Sequence, residues 1–185
     1  YHSQSGESYF VHTPGLLTVM PSNTYDAVGL LRSSLKSADP VLFLEPKTLY
    51  YEKAEIPEDY YEIPLGEANV VRQGSDVTLL TWGAQVKLCL ETADEAAKKG
   101  LQVEVVDLRS MMPFDIETIK ESVKKTGRVV VVHEAPKACG FGAEIVAQIA
   151  ERIIEYIEAP ILRVGGFDTP FPYSLEHYYL PGVSR

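Results

Sequence analysis

Four histidines carry most of the chemistry this sequence could do. His2 stands in the opening run YHSQS, beside hydroxyls and an amide. An imidazole titrates near neutrality and can give or take a proton, and Ser3, Gln4 and Ser5 could orient it. The alternative is a surface histidine on a polar terminal loop. His12 precedes a Thr-Pro-Gly turn, where bonding to backbone is the ordinary role. His133-Glu134 closes a run of valines and leads through ACGFGAE into a helical pattern. Active-site residues in open α/β sheets often sit at strand carboxyl ends, and a glycine-rich turn at a helix N-terminus can receive an anion. That turn lacks the GxGxxG spacing and the lysine of a P-loop, so tight strand–helix packing with an interface accounts for it equally well. RVGGFDTPFP (163–172) and His177 in SLEHYYLPG read as a rigid wrap and a surface or subunit contact. No Ser-His-Asp arrangement, nucleophile elbow, zinc-ligand cluster or paired-carboxylate motif can be argued. Residue types and spacing alone do not reach a reaction.

The elements that must position these groups alternate. LLTVM (16–20) reads as a strand closed by Pro21. Ser22 or Asn23 can cap a helix with Ala27, Leu30, Leu31 and Leu35 on one face, stopped at Asp39-Pro40. VLFLE (41–45) is an apolar run of the kind found in buried parallel strands. Residues 46–75, rich in tyrosine, acid and proline, read as an extended linker adhering through its tyrosines, and its length marks a boundary. Strands then follow at 76–83, 101–109, 128–134 and 160–166. Helices fall between them at 84–99, 115–127 and 140–157, with Gly100 and Gly127 as stops. This alternation predicts helices covering a mostly parallel sheet. Residues 1 to about 60 hold only part of an α/β layer, so the sequence is expected to be part of a longer chain, whereas the remainder holds a complete small α/β domain.

Bulk properties exclude some roles. The chain has 185 residues and a net charge of −9, which disfavours nucleic acid and anionic membrane surfaces as partners. No apolar run reaches the ~18–20 residues of a membrane span. Cys89 and Cys139 stand far apart, with neither metal-ligand nor disulfide-framework spacing, which suits a reducing, intracellular setting.

The motifs YHSQSxExxFxHxPGLxxVMPS, YDAxGLLxSSLxxxDPVLFLEPKxLY, GSDVTLLTWGxQV, VxVVDLRSxxPFD, SVxKTGRVVVVHEAPxxxGFGAEI and RVxGFDTPFPYSLEHYYLP run in a fixed order. In that order the chain resembles the beta subunit of the decarboxylating component of 2-oxo acid dehydrogenase complexes, of the pyruvate or branched-chain type. More distantly it resembles the transketolase superfamily. The likeness covers essentially the whole chain.

The resemblance implies an α/β architecture. Residues 1–60 would be the C-terminal part of a pyrimidine-binding domain, 61–75 a linker, and 76–185 a complete transketolase C-terminal-like domain with a mostly parallel sheet. It implies an α2β2 enzyme that decarboxylates a 2-oxo acid and transfers the acyl group to a lipoyl domain. Its partners would be an alpha subunit, a second beta subunit and the dihydrolipoyl acyltransferase core. Thiamine diphosphate with magnesium would be held mainly by the alpha subunit. The glutamate that meets the aminopyrimidine belongs to the region upstream of HSQS, so this stretch should not hold the cofactor alone.

His2 matches the family's active-site histidine, which lines the funnel to the cofactor and assists acyl transfer. A potassium ion in the family sits near the helix before the DPV strand, at positions matched loosely by Ser34, Ser37 and Asp39. The location implied is the cytoplasm in a prokaryote and the mitochondrial matrix in a eukaryote. A non-catalytic assembly or core-docking module is the rival reading. A sugar-phosphate enzyme such as transketolase fits less well at HSQS and FDTPFP. The choice between pyruvate and branched-chain acids rests mostly on residues outside this stretch.

Overall fold

The computed structural model describes residues 4–170 and 172–182. The chain begins with a short helix, α1 (Glu7–Val11), followed by β1 (Leu17–Val19), α2 (Thr24–Lys36) and β2 (Val41–Phe43). Helix α2 starts where the Asn23 side chain accepts the Asp26 amide at 2.8 Å, an N-cap that satisfies one of the free amides of the first turn. It ends at Ser37, which turns extended ahead of Asp39-Pro40. As a β-α-β crossover predicts, β1 and β2 pair in parallel, Leu17 opposite Val41. Strand β2 is an edge, and its residues are half-buried.

The segment after β2 has no regular structure as far as residue 68, apart from a 3-10 turn at Lys47–Leu49. Of its tyrosines, Tyr60 and Tyr61 adhere to α2, whereas Tyr50 and Tyr51 are exposed. Tyr61 stacks on Tyr25 at 4.5 Å between centroids, and the Arg32 guanidinium lies 4.7 Å from the Tyr60 ring centre. Ile63 is buried against Gly29, where a Cβ would come within 2.6 Å of it. Residues 69–72, expected inside the linker, instead form β3 (Asn69–Arg72), an antiparallel edge strand of the following sheet. Its NVVR is too short and polar-flanked to separate from linker by periodicity.

Then come β4 (Val77–Thr81), α3 (Gln85–Ala97), β5 (Val103–Asp107), β6 (Ser110–Met112), α4 (Ile116–Thr126), β7 (Val129–Pro136), α5 (Phe141–Arg152), β8 (Leu162–Gly166) and α6 (Glu176–Tyr179). The larger sheet has the order β3-β5-β4-β7-β8, parallel except for β3. Helix α3 packs on one face around Cys89, Ala93, Val103 and Val105. Helices α4 and α5 pack on the other, around Ile119, Val123, Val131, Ile145 and Ile149.

Local chemistry sets the helix ends. The Asp115 carboxylate accepts the Thr118 amide at 3.0 Å to open α4, and Gly127, at φ 63°, closes it. Helix α5 stops five residues short of the expected 157. Ile153 leaves helical geometry at φ −145°, yet its side chain is fully buried. The four-residue isoleucine spacing therefore encodes a buried face, and only part of that face is helical.

Strand β6 joins the two sheets. At Arg109 the chain takes φ 57°, turns out of the larger sheet and pairs antiparallel with β1, Thr18 opposite Met112. The small sheet thus has the order β2-β1-β6. Met20 belongs to the same buried cluster as Leu80, Trp82 and Ile149, with Val11 and Leu44 packed against it. The N-terminal elements and the larger sheet share one core.

Candidate functional site

The connection from β4 to β5 runs to one side of β4, and the next crossover returns past it to β7. The carboxyl ends of β4 and β7 therefore flank the topological switch point, the usual ligand crevice of an open α/β sheet. Here that crevice is filled by side chains. Trp82, just past β4, stacks on His133 of β7 at 5.6 Å and 5° between planes, and Phe141 meets Trp82 edge-on at 5.4 Å. The His133 ring is fully buried and neither nitrogen makes a full hydrogen bond. Burial drives its pKa down to about 4, the Ala135 backbone offsetting only part of the effect. A neutral imidazole in an aromatic stack cannot work as an acid at neutral pH.

The stretch from Gln4 to Ser8 is fastened across this plugged crevice. Ser8 Oγ accepts the Phe141 amide at 3.1 Å, at the start of α5. Gln4 Nε2 donates to the Thr169 carbonyl at 3.4 Å, in the FDTPFP turn. Asp168 holds that turn by accepting the Ala138 amide at 2.9 Å. Glu7 is fully buried, takes a hydrogen bond from Ser5 and leaves Oε1 without a partner. Glu134, at the end of β7, has its pKa raised by burial first, then by Glu7 and Glu176. Three motifs that are far apart in sequence (QSGES, HEAP with its glycine turn, and FDTP) are thereby brought to one place.

A second polar centre ties α2 to the larger sheet. Arg109 forms a buried ion pair with Asp26 at 2.6 Å. Asp107 at the end of β5 is fully buried, accepts the Ser22 hydroxyl and accepts the Arg109 amide at 3.0 Å. Burial pushes the Asp107 pKa up to about 7 despite those two hydrogen bonds. This centre was missed in the sequence. Its signal was a carboxylate ending an apolar strand with an arginine two residues on, since a charge in such a place must be paired.

The candidate residues fall as follows. His2 lies outside the described residues. Ser34 donates its hydroxyl to the Leu30 carbonyl at 2.7 Å, and Ser37 Oγ accepts the Asp39 amide at 3.1 Å. Both hydroxyls therefore serve the end of α2, and Asp39 is exposed. His12 is exposed at the end of α1, and His177 is exposed against the Tyr178 ring. Among the described residues no three His, Cys, Asp or Glu side chains group to hold a metal ion. The glycine-rich start of α5, the place for a diphosphate, gives the Phe141 amide to Ser8 instead. The described residues do not by themselves fit thiamine diphosphate and its magnesium.

Comparisons with known proteins identify the family and the fold. Residues 66–185 match the family described as transketolase, C-terminal domain, and residues 1–53 match transketolase, pyrimidine binding domain. The chain is 53% identical over 183 residues to the mitochondrial 2-oxoisovalerate dehydrogenase subunit beta of Dictyostelium discoideum, covering 98% of this chain and 50% of that protein. It is 47% identical over 182 residues to the pyruvate dehydrogenase E1 component subunit beta of Staphylococcus epidermidis, covering 97% and 56%. A solved structure described as a split gene transketolase, inactive beta4 tetramer, has the same fold. Its TM-score is 0.80 at 23% identity, over 93% of this chain and 55% of that one. The chain spans about half the length of the curated relatives it matches.

Proposed function

The chain belongs to the transketolase C-terminal-domain family, preceded by a stretch of the transketolase pyrimidine-binding domain, and from that premise we propose that it is part of the beta subunit of a 2-oxo acid dehydrogenase. The observation that carries this reading is the fastening of the QSGES stretch, at Gln4 and Ser8, onto Thr169 and Phe141. It gives the segment next to His2 a fixed seat at the strand ends while leaving the larger sheet's own crevice filled.

In this reading the beta subunit works in an α2β2 assembly with an alpha subunit and delivers acyl groups to a lipoyl domain of an acyltransferase core. Thiamine diphosphate, held with magnesium by the alpha subunit and upstream chain, supplies the electron sink for decarboxylation when bound. The role of this chain is at the lipoyl step. Opening the lipoyl disulfide releases a sulfur that must take a proton, and the His2 imidazolium gives it. A potassium ion near Ser34, Ser37 and Asp39 would be taken by backbone carbonyls at the α2 C-terminus, which carry partial negative charge.

The relatives include mitochondrial and bacterial proteins, which supports the mitochondrial matrix in a eukaryote and the cytoplasm in a prokaryote. No helix among the described residues is long and apolar enough to cross a membrane.

The plugged crevice favours one further reading for the larger sheet alone, that of an assembly module without chemistry of its own. Reconstituting the complete beta chain with its alpha subunit and thiamine diphosphate tests both readings. Acylation of a lipoyl domain with pyruvate or with a branched 2-oxo acid supports the enzyme and names its substrate. An assembled tetramer inert toward every 2-oxo acid in the panel contradicts the enzyme reading and leaves the module.

A further inference from the structure

Three glycines converge on one side chain. A Cβ at Gly142 would lie 2.6 Å from His133 Cδ2 and 2.7 Å from Nε2. One at Gly165 would lie 2.9 Å from Cε1, and one at Gly140 would lie 3.1 Å from the same atom. Two of these glycines frame the first residue of α5 and the third is the penultimate residue of β8, so the turn and the neighbouring strand close on the ring from two directions. Trp82 covers one face in parallel contact. A side chain so enclosed fixes the distance between the end of β7 and the start of α5, because packed interiors transmit small displacements rather than absorb them.

The start of α5 is also where the N-terminal stretch is anchored, through the Phe141 amide and Ser8 Oγ. Phe141 itself is buried, edge-on to both Trp82 and Phe114. Its amide direction is thus set by the same packing that holds the imidazole.

We propose that His133 is a positioning residue: its ring is the spacer that sets the first turn of α5, and that turn holds the segment following HSQS through the Phe141–Ser8 hydrogen bond. The activity arm of this inference rests on the role proposed above for His2, and the structural arm does not. Burial, reinforced by the positive charges of Arg163 and Lys137, keeps the ring uncharged, so the spacer does not change state across the neutral range. An uncharged ring also explains why both nitrogens are tolerated in an apolar stack, where a cation would be costly.

The test uses the complete beta chain reconstituted with its alpha subunit, with Ser8→Ala, His133→Ala and the double variant. Hydrogen exchange at the Phe141 amide is followed beside lipoyl acylation. Each single variant is expected to speed Phe141 exchange by about five- to tenfold, as for the loss of one hydrogen bond. The double variant should be no faster than the faster single, because both act through one contact. Acylation should fall in step with exchange, while its pH profile keeps the apparent pKa values of the unaltered enzyme.

Unchanged Phe141 exchange in His133→Ala, fully additive effects, or a displaced limb in the pH profile would each overturn the proposal. Where His133→Ala does not fold, Gly142→Ala takes its place. It crowds the ring without removing it, and it must speed Phe141 exchange for the proposal to stand. Exchange behaving as expected in a tetramer that acylates no lipoyl domain would sink the proposed function and leave the positioning role intact.

Discussion

Replacing Asp107 with asparagine should reveal a pH dependence that the native protein conceals. The buried Asp107 has its pKa pushed up to about 7, so between the ordinary aspartate value of ~3.9 and pH 7 the folded state holds a proton that the unfolded chain has released. Its stabilising contribution is complete below ~3.9 and is lost as pH rises through that window. About three units at ~1.36 kcal/mol each amount to roughly 4 kcal/mol.

His133 works in the opposite sense. Its pKa is lowered to about 4, so its contribution is complete above ~6.5 and is lost as pH falls, by roughly 3 kcal/mol. Between pH ~4 and ~6.5 each group contributes a slope of about one proton, with opposite signs, and the two nearly cancel. The Asp107→Asn variant keeps the His133 slope alone. Relative to the native protein its stability should climb by roughly 3 kcal/mol from pH 4 to 6.5. Urea denaturation of both proteins at half-unit steps measures the difference, and carboxylates common to both drop out of it. Parallel curves for variant and native protein would refute the proton on Asp107.

Arg109→Met leaves Asp26 buried without its cation and should destabilise the chain by about 3–5 kcal/mol. A urea midpoint within error of the native value would contradict the ion pair as the tie between α2 and the larger sheet. Adding Asp26→Leu to that variant should recover most of the loss, since an apolar pair of similar volume is tolerated. Gly29→Ala places a Cβ against Ile63 and the Tyr61 ring. It should lift the 46–68 segment and speed limited proteolysis there while α4 and α5 stay protected. Uniform cleavage along the chain would contradict that local account.

Legibility from sequence followed the range of the interactions. Helix α4 could be read from end to end because both its signals are local: Asp115 caps its first turn and Gly127 takes the left-handed position that closes it. The valine strand was equally plain, as a continuous apolar run buried on both faces must be. Strands β3 and β6 were not legible. Each is three or four residues long and is defined by a partner far away in the chain, β5 for one and β1 for the other. Residues such as Arg109, whose backbone turns the chain from one sheet into another, look unremarkable without that partner.

The site behaves the same way. His133 could be singled out by its place at a strand end, but its fate was decided by Trp82, Gly142 and Gly165, which no spacing rule connects. The Ser22, Asp26, Asp107 and Arg109 centre joins α2 and β5 with the connections beside them; its one local signal, Asp107 with Arg109 two residues on, does not name Ser22 or Asp26 as the partners. The resemblance rested on HSQS and FDTPFP as separate motifs and did not pair them; it takes the fold to bring Gln4 to Thr169.

The central claim is that the first residues of this chain work as half of an active centre whose other half lies elsewhere. It is tested most directly by His2→Ala in the complete beta chain assembled with its alpha subunit, with decarboxylation and lipoyl acylation measured separately on the same sample. The account predicts that acylation falls by about 10²–10⁴-fold, the usual worth of a placed acid, with a much smaller loss of decarboxylation. Acylation at the native rate in that variant would contradict it.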